Sequence, residues 1–434
     1  MGHLRHLKQE YRELVEHLGG GTVALPEPAG DKAWEGWREI LEILYTPEEA
    51  RLAARLPLKP TALSKLVKRL GVAEAELKRR LDALCEKGVV MDLVHPGTNE
   101  TKYLLSPPVV GFFEFSMMRA KDSIPKKRMA EALDAYTHGD DAFAREVFGH
   151  DTVIGRTVVH EGALAGEALP DVLDFERASR LVDGAKSHAV SLCYCRHKAE
   201  HLGKACDAPV DNCMSLNAGA EFVIRRGFGR KVDRAEALAM LEASRKAGLV
   251  QIADNVRDRP TYLCNCCGCC CGQLQGINEF SLAAVNPSGF VPGCDEVKCK
   301  GCSRCSRACP VTALTMVGRR VPSKRKNELR PELDADRCIG CGVCASTCKS
   351  GALEMRRHSR PQVPQNLIEK AVRMALERGR LANLIFDEDR QPLMHRVLEA
   401  VTKLPPAQKL LASEQLKSRF VRFAATKVKD PTGG

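Results

Sequence analysis

Cysteine is the residue type that stands out in this chain, because 20 of its 434 residues are cysteines and all but Cys85 lie between Cys193 and Cys348. In a large chain, cysteines this concentrated favour metal ligation or redox chemistry over disulfides. Eight of them form two runs with the same spacing, CxxCxxCxxxC. The runs are Cys299, Cys302, Cys305, Cys309 and Cys338, Cys341, Cys344, Cys348. Thiolates at this spacing are typical ligands of [4Fe-4S] clusters.

Over residues 294–355 the chain resembles the bacterial ferredoxins that bind two [4Fe-4S] clusters. The resemblance implies that each run supplies three ligands to one cluster and its fourth cysteine to the other. One cluster would bind Cys299, Cys302, Cys305 and Cys348, and the other would bind Cys338, Cys341, Cys344 and Cys309. The chain departs from the family at Lys349, where proline is usual, and in a basic insert that contains Arg319. Zinc knuckles are the alternative, but structural zinc sites favour paired CxxC ligands separated by a longer loop.

Ten more cysteines lie between residues 193 and 271 and fall into two groups along the sequence. The first group, which has enough thiolates for one four-coordinate site, is Cys193, Cys195, Cys206 and Cys213. The second group is Cys264, Cys266, Cys267, Cys269, Cys270 and Cys271. Close neighbours are poorly placed for disulfides, so we interpret both groups as metal ligands. They could hold one or two further iron–sulfur clusters, or zinc beside a redox dithiol, and we favour iron and sulfur because a ferredoxin module follows.

The order of the cysteine groups also resembles that of large proteins known only as 4Fe-4S binding proteins, and this likeness extends over nearly the whole chain. The resemblance implies a role in electron transfer. His197 flanks the first group on a basic stretch, and we interpret it as an exposed histidine, not a ligand.

Residues 31–105 have apolar residues at helical spacing, followed by two short stretches that the turn PGTNE separates. Helices followed by a hairpin predict a winged-helix-like domain, a fold that commonly binds DNA. The candidate recognition helix, residues 72–87, has four acidic and four basic residues, so its net charge is zero. Since phosphate neutralisation dominates affinity for DNA, we favour a protein-interaction role over nucleic-acid binding. Cys85 on this helix is interpreted as a buried apolar residue.

Composition and charge exclude several classes of protein. No stretch reaches the roughly 18 apolar residues of a membrane-spanning helix, and the first residues lack the apolar segment of a signal peptide, which predicts a cytoplasmic protein. No glycine-rich phosphate-binding motif occurs in a strand-to-helix context, so no nucleotide site is predicted. The formal net charge is +11. Two clusters would lower it only to about +7, and this basic surface suits a redox partner that is acidic at the contact.

These patterns together predict a multidomain α+β chain. Its predicted parts are a helical extension (1–30), a winged-helix-like domain (31–105), a helical connector (106–190), a cysteine-rich mixed domain (191–290), a two-[4Fe-4S] ferredoxin-like domain (291–356) and a helical tail (357–434).

The leading hypothesis is a ferredoxin-type electron-transfer protein that serves as an electron-relay subunit or partner of a cytoplasmic oxidoreductase. The alternative is a winged-helix transcription regulator that senses redox state or iron–sulfur clusters. A reductase with an open-coordination cluster ranks last, because the sequence has no substrate-pocket or second cofactor motif. The sequence does not indicate an oligomeric state.

Overall fold

The computed structural model describes residues 7–95, 97–164, 173–320, 327–360, 362–386 and 392–428. The chain forms two compact units. The helical unit comprises Met1–Thr152, Arg225–Gly227 and Gln365–Gly434. The cysteine-rich unit comprises Val153–Ile224 and Phe228–Pro364. Every cysteine except Cys85 therefore belongs to the cysteine-rich unit.

The described α-helices are, in chain order, α1 (Gln9–Leu18), α2 (Asp31–Leu44), α3 (Pro47–Ala53), α4 (Leu63–Leu70), α5 (Glu74–Lys87), α6 (Phe113–Met117), α7 (Lys126–His138), α8 (Ala142–Phe148), α9 (Ala178–Asp183), α10 (Tyr194–His201), α11 (Asn217–Arg225), α12 (Arg234–Lys246), α13 (Gly272–Asn278), α14 (Arg304–Ala308), α15 (Val343–Ser346), α16 (Leu367–Glu377), α17 (Leu381–Ile385), α18 (Pro392–Lys403), α19 (Pro405–Ala412) and α20 (Glu414–Ala425).

The described strands are β1 (Thr61–Ala62), β2 (Val90–Val94), β3 (Thr101–Leu105), β4 (Gly155–Val158), β5 (His188–Leu192), β6 (Asp211–Leu216), β7 (Arg230–Val232), β8 (Val250–Asp254), β9 (Tyr262–Cys266), β10 (Val285–Asn286), β11 (Phe290–Cys294), β12 (Leu314–Arg320), β13 (Asn327–Leu333) and β14 (Leu353–Arg357). They form sheets in the orders β1-β3-β2, β10-β4-β8-β9-β6-β5-β7, β11-β14 and β12-β13.

Close helix packing organises the helical unit. Helix α2 buries Trp37, Ile40 and neighbouring apolar residues against α7. Gly36 makes this approach feasible, because a Cβ there would lie 2.5 Å from the carbonyl oxygen of Ala132. Thr46 caps α3 in a reciprocal arrangement with Glu49, which satisfies the first amides of that helix.

Residues 47–105 follow the order helix, strand, helix, helix and hairpin, and the short first strand was not predicted from the sequence. Cys85 is fully buried in α5, as predicted. The buried carboxylate of Asp92 on β2 pairs with Arg225 at 3.0 Å and with Arg226 at 2.8 Å. Burial alone would raise the pKa of Asp92, but the two guanidinium groups lower it below its usual value.

A seven-stranded sheet forms the centre of the cysteine-rich unit, with β10 parallel to β4 and the other pairs antiparallel. Val190, Met214 and Leu263 from its strands pack with residues of α9 and α12 in one apolar core. Asp233 caps α12 by accepting a hydrogen bond from the amide of Glu236 at 2.8 Å. This packing fixes the strands that carry the upstream cysteines.

The ferredoxin-like part adds two antiparallel pairs, β11 with β14 and β12 with β13, around the short helices α14 and α15. The predicted basic insert corresponds to the end of β12, the start of β13 and residues 321–326, which lie outside the described residues. Arg319 forms ion pairs within the unit, with Glu332 at 3.2 Å and with Glu296 at 3.5 Å.

Candidate metal centres

One set of ferredoxin-type cysteines lines a single, partly enclosed cavity. This set, the Cys309 group, consists of Cys309, Cys338, Cys341 and Cys344. Apolar side chains complete the cavity wall, among them Val311, Ile339 and Met355. Four thiols around an apolar cavity suit an iron–sulfur cluster, because the protein must exclude water and supply only sulfur ligands.

Backbone amides point at the sulfur atoms of the Cys309 group. The amide of Ala313 donates to Sγ of Cys309 at 3.2 Å. The amides of Gly340, Val343 and Ala345 donate in the same way to Cys338, Cys341 and Cys344 respectively. Such bonds stabilise negative charge on a cluster and raise its reduction potential.

Gly340 allows this backbone path. Its φ is +71°, and a Cβ there would lie 2.4 Å from the carbonyl oxygen of Phe290. Burial raises the pKa of the Cys341 thiol to about 12, so a bound cluster is needed to keep that sulfur deprotonated at neutral pH.

The other ferredoxin-type set, the Cys299 group, consists of Cys299, Cys302, Cys305 and Cys348. It is more open to solvent at Cys302. Cys302 is exposed and Cys305 is buried, and Cys299 lies near Cys305. Cys348 packs against an apolar cluster that includes both Cys305 and, from the Cys309 group, Cys344. Burial would raise the pKa of Cys348, but hydrogen bonds from Ser350 and nearby backbone amides lower it.

Cys294 is a residue that the sequence analysis did not assign to a centre. It ends β11, and its thiol contacts that of Cys299. Cys294 lies five positions before the first run and outside the repeated spacing, so the sequence alone does not place it beside this group. The pairing of β11 with β14 does so.

Strand alternation divides the upstream cysteines into two sets. Cys264 and Cys266 are two residues apart on β9, so both side chains lie on one face of the sheet, whereas Cys267 follows the strand. Met214 pairs with Leu263, so the antiparallel register continues with Cys213 opposite Cys264. The segment Cys264–Cys271 therefore contributes to two groups of thiols.

The first set, the six-cysteine group, is a chain of contacting thiols. In the order of contact it consists of Cys193, Cys195, Cys271, Cys266, Cys264 and Cys213. Hydrogen bonds from Cys195 and Cys266 lower the pKa of Cys271 to about 5, and those from Cys213 and Cys266 lower that of Cys264. The other thiols act as donors, which is the pattern expected where several sulfurs share few protons.

The second set, the four-cysteine group, is more compact. It consists of Cys206, Cys267, Cys269 and Cys270, whose sulfur atoms all lie within 4.8 Å of one another. Sγ of Cys269 is 3.6 Å from Sγ of Cys270. A hydrogen bond from Cys270 lowers the pKa of Cys267 to about 4, with help from the guanidinium of Arg196.

Two sequence interpretations are wrong here. Cys206, which the sequence order groups with Cys193, Cys195 and Cys213, lies instead with the four-cysteine group, because it is in the loop between α10 and β6. His197 is not exposed; it is buried at 7% exposure, with its Nε2 3.2 Å from Nε2 of His201. The first error arises because sequence order does not indicate which residues a loop brings together, and the second because the basic residues around His197 do not indicate that α10 is buried.

Arg196 is a functional candidate that was not predicted from the sequence. Its side chain is fully buried in α10 and hydrogen-bonds to the thiols of Cys206 and Cys267. It also donates to Oδ1 of Asn212 at 3.0 Å and to the carbonyl of Asn265 at 3.4 Å. A buried cation is costly unless it is paired, so Arg196 fits a site that carries negative charge.

The four-cysteine group lies beside the Cys309 group. A Cβ at Gly268 would lie 2.5 Å from the carbonyl oxygen of Pro310, so the two ligand loops are in direct contact. The side-chain amide of Asn278 donates to the carbonyl of Pro310 at 2.9 Å and to that of Gly268 at 3.5 Å. A cavity of about 720 Å³ borders both Cys269 and Cys309.

Residues 298–361 match the family model of the 4Fe-4S dicluster domain. The match includes both cysteine runs and excludes the ten upstream cysteines. With the cysteine cavity it supports binding of an iron–sulfur cofactor by this part of the chain. No curated protein and no solved structure is significantly similar to the chain. Within the described residues, no helix is long and apolar enough to span a membrane.

Proposed function

We propose that this chain is a ferredoxin-type electron-transfer protein that acts as a relay subunit or partner of a cytoplasmic oxidoreductase. The observation that carries the proposal is the cysteine-lined cavity of the Cys309 group inside the dicluster domain. A [4Fe-4S] cluster bound there accepts and releases single electrons. The chain's own contribution is to hold four sulfurs, exclude water with apolar side chains and direct backbone amides at the sulfur atoms.

The six-cysteine group supports a further cluster in the same relay. Six thiols exceed the four ligands of one metal ion, and their contacts form an extended chain instead of one compact set. Such an extended set of sulfurs suits a centre with several iron atoms, of about four irons if it is one cubane. Cys266 and Cys267 are adjacent in sequence and join this group to the four-cysteine group, whose loop contacts Pro310.

Exposed basic residues around Cys302 support an acidic partner. Lys298, Lys300, Arg304 and Arg307 are all exposed on the segment that carries the Cys299 group. Val297 is 92% exposed beside them. An exposed apolar residue on a segment that carries several cations suits transient docking of an acidic redox protein, since opposite charge raises the association rate.

Cys341→Ser tests the proposal directly. The variant should lose one of two electron paramagnetic resonance signals that the dithionite-reduced dicluster domain shows in the wild-type chain. Cys85→Ser is the matched control, because Cys85 is a buried thiol in the helical unit and should leave all signals unchanged. Unchanged cluster signals in Cys341→Ser would refute the assignment.

A redox-sensing regulator is the second candidate function, and the winged-helix order of elements in residues 47–105 favours it. Intramolecular ion pairs on α5 weaken it, because Lys78 binds Asp82 at 2.6 Å and Arg79 binds Glu76 at 2.8 Å. A gel-shift assay on the oxidised and reduced protein distinguishes the two. Sequence-specific binding in one redox state would support the regulator, and salt-sensitive binding to any duplex would oppose it.

A further inference from the structure

We propose that the four-cysteine group binds a single tetrahedral zinc ion, separate from the iron–sulfur clusters. Such a centre would be structural. The proposal rests on the proposed electron-transfer function only for the role of the loop that the zinc would hold. Its four ligands would be Cys206 from the loop after α10, and Cys267, Cys269 and Cys270 from the turn between β9 and α13.

Distances between sulfur atoms favour one ion over a cluster. Zinc–sulfur bonds of about 2.3 Å in a tetrahedron put the sulfurs about 3.8 Å apart. Cys269 and Cys270 are 3.6 Å apart at sulfur, and all six pairs lie within 4.8 Å. In a cubane each thiolate binds a different iron, so the sulfurs lie farther apart. Among the described residues, the ferredoxin-type cysteines form no set of three this compact.

Charge also fits the proposed ion. Four thiolates around one divalent cation leave a net charge of about −2, which needs compensation in a buried site. Arg196 supplies a fully buried positive charge that hydrogen-bonds to two of the four ligands, Cys206 and Cys267. The same side chain is held by Asn212 and Asn265, so its position is fixed.

Zinc is the expected metal because, for the same ligands, it binds more tightly than ferrous iron does. The ion would tie the loop of Cys206 to the turn that contains Gly268, two segments about sixty residues apart in sequence. This turn contacts Pro310, which follows a ligand of the Cys309 group. The zinc would thus hold a loop against the cluster domain without carrying electrons itself, since zinc has no redox chemistry in proteins.

Metal analysis of the full chain, purified anaerobically, tests the proposal. Wild-type protein should contain about one zinc per chain, and Cys206→Ser should lose that zinc while it keeps its iron and sulfide. Cys264→Ser is the matched control from the six-cysteine group, and it should keep the zinc. If Cys206→Ser instead lost about four irons and as many sulfides, the four-cysteine group would be a cluster site and the proposal would be wrong.

X-ray absorption at the zinc edge of the wild-type protein keeps the test decisive if a variant does not fold. The proposal predicts four sulfur neighbours at about 2.3 Å. Nitrogen or oxygen ligands, absence of zinc, or one iron in its place would overturn it. Wild-type protein that contains zinc but shows no dicluster signals would refute the electron-transfer function alone. The two failures can therefore be distinguished.

Discussion

The ferredoxin-type cysteines and the upstream cysteines differ in what determines which thiols lie together. In the ferredoxin part, spacing along the chain identifies the ligands, and short helices and glycines bring four sulfurs around one cavity. In the upstream part, the eight-residue segment Cys264–Cys271 divides between two groups, because strand alternation and the following turn direct its side chains differently. A repeated motif can thus be interpreted from sequence, whereas a dense cysteine segment needs the register of its sheet.

The largest expected effect is the loss of one ferredoxin cluster on substitution of a single ligand. Cys309→Ser should remove the same paramagnetic signal as Cys341→Ser, because Cys309 lies with Cys338, Cys341 and Cys344 although it belongs to the first run. Cys305→Ser should remove the other signal. Comparison of reduced spectra checks this, and loss of one common signal in Cys309→Ser and Cys305→Ser would contradict the exchanged ligand.

Adjacent upstream cysteines should differ in the metal that they lose. Cys266→Ser should lower iron and sulfide by about four atoms each, and Cys267→Ser should lower zinc by about one, because their side chains belong to different groups. Elemental analysis of both variants, with Cys85→Ser as control, measures the difference. Equal losses in the two variants would mean that the ten cysteines form one site.

Contact between the four-cysteine group and the loop of the Cys309 group should depend on Gly268. Gly268→Ala forces a Cβ to within 2.5 Å of the Pro310 carbonyl oxygen, so we expect a loss of about 1–3 kcal/mol in the free energy of unfolding and a shifted potential for the adjacent cluster. Gly272→Ala is the matched control, because no atom lies within 4 Å of its added Cβ. Equal unfolding curves for the two variants would argue against a tight contact.

The smallest expected effect concerns the exposed surface around Cys302. Arg304→Glu should slow reduction by an acidic ferredoxin-type donor roughly tenfold at low salt, and added salt should reduce the difference. Stopped-flow kinetics would measure this, with Arg79→Glu on the helical unit as a charge-matched control. A similar slowing in both variants would show that net charge, not this surface, sets the rate.

Sequence patterns predicted what depends on local spacing. The hairpin of β2 and β3 lies on either side of the turn PGTNE, where the sequence indicates it. The partner of Cys206 was not predictable, since it depends on the path of the loop between α10 and β6. Cys294 and Arg196 were not predicted either, because contacts between distant strands and helices bring them to the sulfur atoms.

Iron, acid-labile sulfide and zinc per chain, measured together on anaerobically purified protein, test the central claim most directly. Two ferredoxin clusters and one cluster in the six-cysteine group predict about twelve irons and twelve sulfides, with about one zinc in the four-cysteine group. Fewer than about eight irons would contradict the iron–sulfur relay. About sixteen irons without zinc would contradict the division of the upstream cysteines into a cluster site and a single-ion site.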